Sequence, residues 1–255
     1  MTSPLATWTE AEGRVLRLRL ARPKANIVEA AMIAALDAAL AGHADDRALS
    51  AVILDAEGPH FSFGASVEEH LPDQCAAMLG ELHSLIRRML DYPVPILVAV
   101  QGQCLGGGLE VAMAGSLIFA APDAQLGQPE IRIGVFAPAA SCILPERVGQ
   151  AVAEEMLYSG RSLGAEEART AGLVQLVADD TAQAASDWVA THLLPKSAAA
   201  LRQAVRAARA DFAARMAARL DAVERQYLDD LMSTKDAVEG LNAFLARREA
   251  KWEHA

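Results

Sequence analysis

Three shortages in the sequence narrow its chemistry before any motif is read. Cysteine appears only as Cys75, Cys104 and Cys142, with no CxxC pair and no histidine pair nearby. That spacing argues against a zinc site or a disulfide framework and predicts reduced thiols. No apolar run approaches the ~20 residues of a membrane span, and "MTSPLATWTEAEGRV" lacks the basic start and apolar stretch of a secretory signal. A soluble cytoplasmic protein is expected. Positive charge is also scarce, with 23 Lys and Arg against 33 Asp and Glu and a net charge of -10. Such a surface repels nucleic acid and anionic membranes overall, so neither is an expected partner. Arg202, Arg206 and Arg209 nevertheless share one helical face. They raise the alternative of an RNA-binding patch, against which the interspersed Asp211, Asp221 and Glu224 favour a solvated helix face.

The chain has 255 residues, 53% of them hydrophobic, enough for one large domain or a domain with an appended subdomain. "VLRLRL" (15–20) alternates and predicts a half-buried strand, closed by "ARPKAN". An amphipathic helix follows in "EAAMIAALDAALAGHADD". After it, "LSAVILDAEGPHFSFGAS" reads as an apolar strand, a turn, and a short strand carrying Phe61 and Phe63. A helix over about 75–90 leads to "YPVPILVAVQGQCLGGG", whose continuous apolar run suits a strand buried on both faces. "LEVAMAG" continues as a helix, "SLIFAAPDAQLGQPE" as a strand and turn, and "AEEMLYSG" and "GAEEARTAGL" as short helices. The alternation predicts an α/β fold with repeated crossovers. From about Asp180 strong helix formers dominate, so a helical C-terminal section is expected.

"QGQCLGGGLEVAM" (101–113) places Gly106, Gly107 and Gly108 between that strand and the next helix. A Walker loop is excluded because Leu109 and Glu110 follow the last glycine. A dinucleotide fingerprint is excluded because position 111 is Val111 rather than glycine. Two readings remain: close helix-to-strand packing, or free N–H groups at a helix start where the dipole favours negative charge. A second glycine-bearing turn, "FSFGAS", could present the Ala65 N–H. Two N–H donors from separate turns are what a thioester carbonyl needs on becoming an enolate, each worth ~3 kcal/mol in the transition state.

Two carboxylates stand near this region, Glu110 one turn into the glycine-started helix and Glu130 in "GQPEIRIG". They are either solvated surface glutamates or a pair holding one water. In an apolar cleft, burial and mutual repulsion would raise at least one pKa, leaving one base and one acid. His60 and His70 flank the "FSFGAS" segment and read as surface or loop histidines rather than proton shuttles, and Tyr92 and Tyr158 as packing residues. Glu68 and Glu69 read as solvated, with a place near the substrate as the alternative.

"FSFGAS", "VAVQGQCLGGGLEVAMAGSLIFAAPDAQLGQPEIRIGV", "AEEMLYSGRSLGAEEARTAGLV" and "EGLNAFLARREAKW" together resemble the crotonase, or enoyl-CoA hydratase/isomerase, superfamily over nearly the whole chain. The resemblance implies a spiral of ββα units over residues 1–195 with the acyl-CoA site, and a helical trimerisation section over 196–255. A trimer or a dimer of trimers follows from it. It implies no cofactor, coenzyme A being part of the substrate. Ala65 and Gly107 fall on the oxyanion-hole N–H groups, and Glu110 and Glu130 on the two catalytic glutamates, whose joint presence favours addition or removal of water. Lys24, Ala25, Phe63, Gly64 and Ser66 resemble coenzyme A contacts, as do Phe244 and Arg247 on the last helix, reaching the ligand either within the chain or across a subunit boundary.

Two departures from the common pattern matter. "FAPAAS" (136–141) replaces a glycine-rich helix start, and Ser66 stands where an aspartate is usual. Both resemble the branch of the family that hydrates cyclic dienoyl thioesters. The substrate implied is cyclohexa-1,5-diene-1-carbonyl-CoA of anaerobic benzoyl-CoA degradation, and the product 6-hydroxycyclohex-1-ene-1-carbonyl-CoA. Phe136, Ala137 and Pro138 would shape the ring pocket. The alternatives are a short-chain enoyl-CoA hydratase, a double-bond isomerase, and a non-catalytic member that binds acyl-CoA or RNA.

Overall fold

The computed structural model describes residues 3–255, so Met1 and Thr2, where the segment read for a secretory signal begins, lie outside the described residues. In chain order the strands are β1 (Leu5–Glu10), β2 (Val15–Leu20), β3 (Ala51–Ala56), β4 (Ile96–Val100), β5 (Gln103–Leu105), β6 (Leu117–Ala120), β7 (Gln125–Gly127), β8 (Ser162–Gly164) and β9 (Leu176–Val177). The helices are α1 (Ala30–His43), α2 (Cys75–Leu90), α3 (Gly107–Ala114), α4 (Pro138–Val148), α5 (Gln150–Ser159), α6 (Ala165–Thr170), α7 (Thr181–His192), α8 (Ala198–Arg225) and α9 (Lys235–Leu245).

Six strands form one sheet in the order β1-β2-β3-β4-β6-β9, and β5, β7 and β8 form a second. Only β1 with β2 and β7 with β8 run antiparallel. The chain repeatedly lays one strand in the large sheet and one in the small sheet before a helix, as in β4-β5-α3 and β6-β7-α4. These are the ββα units of a crotonase-type spiral, with α8 and α9 as the helical C-terminal segment.

Strand alternation decides which layer each side chain joins. Leu16, Leu18 and Leu20 of β2 with Val52 and Leu54 of β3 face the main core against α1 and α2. Val15, Ala51, Ile53, Leu97 and Phe119 face Ala185 and Val189 of α7. The second face corrects the expectation of a half-buried β2, because α7 covers it. Arg17 also lies buried there, donating to Asp55 at 2.7 Å, which satisfies the charge away from water. "ILVAV" in β4 is buried throughout, as a strand parallel to both neighbours requires.

The short strand expected around Phe61 and Phe63 is not formed. That segment is held by isolated bridges, Ser62 to Cys104 and Ala65 to Val28. Tyr92 packs in the core and donates its hydroxyl to the Leu40 carbonyl, but Tyr158, expected to pack, is 71% exposed. The arginine face of α8 is neither a solvated face nor an open basic patch. Arg202 donates to the Ala44 and Asp46 carbonyls, and Arg209 to those of Met89, Leu90 and Gly115, closing helix ends. Arg206 remains exposed. Among the described residues no helix is long and apolar enough to cross a membrane, and all three cysteines are buried and free.

Candidate active site

A cavity of ≈ 320 Å³ opens where the turn after β3, the start of α3, the 3-10 turn Pro129–Ile133, the start of α4 and the end of α9 converge. Its wall is mostly apolar, with Glu110 and Glu130 on it. A larger open cleft of ≈ 700 Å³ between α2 and α8 carries Arg87, Arg88, Asp91 and Arg206, but neither glutamate and no glycine turn. The smaller cavity therefore holds the converging chemistry.

The glycine run has a geometric reason at each position. Gly106 has φ +50°, and a Cβ there would stand inside van der Waals contact of Glu130 Oε1. A Cβ on Gly107 would lie 3.1 Å from the Ala65 nitrogen, and one on Gly108 2.6 Å from Ser62 Cβ. Gly64, at φ +109°, lets its own turn approach Gly107. The two turns thus bring the Ala65 and Gly107 backbone side by side at the cavity wall. The Ala65 N–H makes no hydrogen bond among the described residues. The Gly107 N–H opens α3, where the helix supplies it no carbonyl.

Glu110 follows one turn later, 3% exposed, and accepts a hydrogen bond from the Ala140 N–H at 2.8 Å. Pro138 sits at the first turn of α4, where its missing N–H costs nothing and the next amides remain free for that carboxylate. Burial pushes Glu110 up to about 7, opposed by the amides of Ala140 and Ala139. Glu130 is half-buried, and the end of the Gln128 side-chain amide faces its two oxygens at 3.1 and 3.2 Å. Burial, and then the charge of Glu110, push Glu130 up to about 8. Neither is a free surface glutamate, since both lie on the cavity wall. Two carboxyl groups that feel one another and titrate near neutrality can divide acid and base work between them.

Residues 10–255 match the family model described as enoyl-CoA hydratase/isomerase. The chain belongs to the enoyl-CoA hydratase/isomerase family. It is 63% identical over 253 residues to the cyclohexa-1,5-dienecarbonyl-CoA hydratase of Thauera aromatica, covering 99% of this chain and 98% of the relative. It is 34% identical to the 2,3-dehydroadipyl-CoA hydratase of Escherichia coli K12, covering 92% and 93%. The crystal structure of an enoyl-CoA hydratase from Mycobacterium avium subsp. paratuberculosis K-10 superposes with a TM-score of 0.85 at 26% identity, over 99% of both chains.

Within this enoyl-CoA hydratase/isomerase fold, the other expected contacts assemble unevenly. Phe63, Gly64, Ala65, Phe136, Ala137, Pro138 and Phe244 line the cavity, Phe63 and Phe244 being 43% and 53% exposed at its mouth. Phe244 reaches it within its own chain. The Phe63 N–H donates to the Ala25 carbonyl and the Val28 N–H to the Gly64 carbonyl, so the Lys24–Ala25 turn docks beside the same edge. Lys24 is exposed and Ser66 half-buried, and neither lines the cavity. Arg247 lies beyond α9 rather than on it, with φ +52°, in a shallow pocket with Glu68 and Phe244. Glu69 is half-buried and accepts from the Ala30 N–H at the start of α1, so it is not simply solvated.

The sequence reading left one residue away from the site and passed over two others. His70, expected on a surface or loop, is on the cavity wall, its Nδ1 2.7 Å from the Ser66 carbonyl oxygen. Tyr227 is fully buried in a π-helical turn, Gln226–Asp230, with its ring 5.2 Å from that of Phe136 and its hydroxyl unpartnered among the described residues. A π-turn often marks a functional wall, but no short-range sequence pattern announces one. Gln128 had a signal, lying two residues before Glu130 in "GQPE", a spacing not read as contact.

Proposed function

We propose that this chain adds water to cyclohexa-1,5-diene-1-carbonyl-CoA, giving 6-hydroxycyclohex-1-ene-1-carbonyl-CoA, a step of anaerobic benzoyl-CoA degradation in the cytoplasm. The observation that carries the chemistry is the pair of glutamates, Glu110 buried and Glu130 half-buried, with raised pKa values on an apolar cavity where the Ala65 and Gly107 backbones meet. The identity to the Thauera aromatica hydratase supports the ring substrate, as does a wall of Phe136, Ala137 and Pro138 beside Glu130.

In this reading the thioester oxygen accepts hydrogen bonds from the Ala65 and Gly107 N–H groups. One carboxylate takes a proton from water and the resulting hydroxide adds to the ring β-carbon. The displaced electron pair moves onto the thioester oxygen as a dienolate, the charge the two amides stabilise. The dienolate then collapses, and its far carbon takes a proton from the other, protonated glutamate. Hydroxyl and new hydrogen end on ring carbons across the ring from one another rather than on adjacent carbons. Lys24, Ala25, Phe63, Gly64, Ser66, Phe244 and Arg247 flank the path of coenzyme A.

Residues 1–195 carry most of this site, and 196–255 the contacts of a homo-oligomer, a trimer or dimer of trimers. Exposed Phe244, Leu245 and Trp252 support that assembly. Light scattering reads its mass directly. For the reaction, turnover in ¹⁸O-labelled water should place one label in the hydroxylated thioester, and turnover in D₂O one deuterium at the far ring carbon. An unlabelled, mass-neutral product would instead mean double-bond isomerisation.

A further inference from the structure

Hydration puts a hydroxyl on the ring, and most of the wall that receives it is apolar, including Val67, Leu79, Leu82 and Phe136. A hydroxyl buried against such a wall without a partner is costly. Both glutamates are engaged with the water and the proton of the reaction. His70 is the remaining polar side chain on the buried part of the wall, since Arg132 is exposed.

The geometry fixes what His70 offers. Its Nδ1 lies 2.7 Å from the Ser66 carbonyl oxygen, which only accepts, so Nδ1 carries the hydrogen. Burial lowers the pKa of the ring and keeps it neutral. Nε2 is then a lone-pair acceptor with no hydrogen bond among the described residues, and it is not one of the sealed orphan atoms, as the Tyr227 hydroxyl is. The Tyr227 ring lies 6.4 Å from the imidazole, tilted by 58°.

We infer that His70 recognises the hydrated ring, its Nε2 accepting a hydrogen bond from the hydroxyl that the reaction installs. The inference rests on the ring-hydration reading above. A site with a fixed acceptor for a hydroxyl discriminates against ligands that lack one, whereas an apolar wall discriminates weakly.

The test compares binding of 6-hydroxycyclohex-1-ene-1-carbonyl-CoA with that of cyclohex-1-ene-1-carbonyl-CoA, by calorimetry in the Glu110→Gln background, which stops interconversion. One hydrogen bond predicts a preference of about 3- to 10-fold for the hydroxylated ligand. His70→Asn keeps an amide near the Ser66 carbonyl but removes the Nε2 acceptor, and should abolish the preference. His70→Gln supplies an acceptor near the Nε2 position and should retain part of it. No preference in the background protein, an unchanged preference in His70→Asn, or loss in His70→Gln alone would each overturn the inference. The last would show that the tie to Ser66 is what matters. If the wild-type chain fails to hydrate the ring dienoyl thioester at all, the ring-hydration reading falls first and this inference with it.

Discussion

Replacing Gly106 by alanine perturbs the site at the point where backbone and catalysis meet. The residue has φ +50° and ψ -130°, a conformation that costs a residue with a Cβ about 1–3 kcal/mol. The added methyl would also stand within contact distance of Glu130 Oε1, and next of Glu130 Cδ at 3.4 Å. Because the backbone of Gly106 is pinned through its N–H to the Gly127 carbonyl at 2.9 Å, the carboxylate yields rather than the loop. A displacement on the order of 1 Å at a reacting group costs about 100-fold in rate. Gly106→Ala should therefore lose about two decades of kcat while remaining folded, with a stability loss of about 1–3 kcal/mol in urea titration. Gly80→Ala serves as the control, since nothing lies within 4 Å of its added Cβ and α2 gains a better helix former. The assay is loss of enoyl absorbance with the thioester substrate. A folded Gly106→Ala enzyme with wild-type kcat would refute the claim that this glycine exists to admit Glu130.

Four further outcomes follow from the same structure. The rate should show a bell-shaped pH profile with limbs at about 7 and about 8 belonging to the coupled pair Glu110 and Glu130, measured as kcat against pH. Both carboxyls hold protons in the folded state that the unfolded chain releases above its ordinary value of 4.5. Stability should consequently fall as pH rises from there through 7 to 8, and Glu130→Gln should flatten that slope in denaturant titrations at stepped pH. Phe136→Ala removes a ring that packs at 5.2 Å on Tyr227, and should lower kcat/KM more for the cyclic dienoyl thioester than for crotonyl-CoA; equal losses would contradict its place in the ring wall. Arg209→Met leaves the carbonyls of Met89, Leu90 and Gly115 without their donor and should cost about 3 kcal/mol of stability, with no change in KM.

Much of the site was legible in the sequence because its parts are local. The glycines, Glu110 and the helix that carries them occupy one short run, and α2 begins and ends at the residues its apolar period predicts. The strands missed were β1, with one face exposed, and β5, β7, β8 and β9, each three residues or fewer and too short to show a period. The segment around Phe61 and Phe63 has strand-like composition, yet its ladder partners belong to distant parts of the spiral and meet it at single residues. Buried contacts at long range were the least legible. His70 reaches the cavity through a 3-10 turn, Tyr227 through a π-turn some 150 residues later, and Arg209 spends its charge on carbonyls of two other elements. Nothing in the neighbouring residues encodes those meetings; the tertiary fold does.

The central claim is ring hydration by a paired-glutamate site, and one comparison tests it most directly. The purified chain is incubated separately with cyclohexa-1,5-diene-1-carbonyl-CoA and crotonyl-CoA, following product mass and enoyl absorbance, with Glu110→Gln alongside. The account predicts rapid addition of one water to the ring thioester, slow or no reaction of crotonyl-CoA, and near-silence of the Glu110→Gln protein with both. A preference for crotonyl-CoA, or undiminished ring hydration by Glu110→Gln, would contradict it.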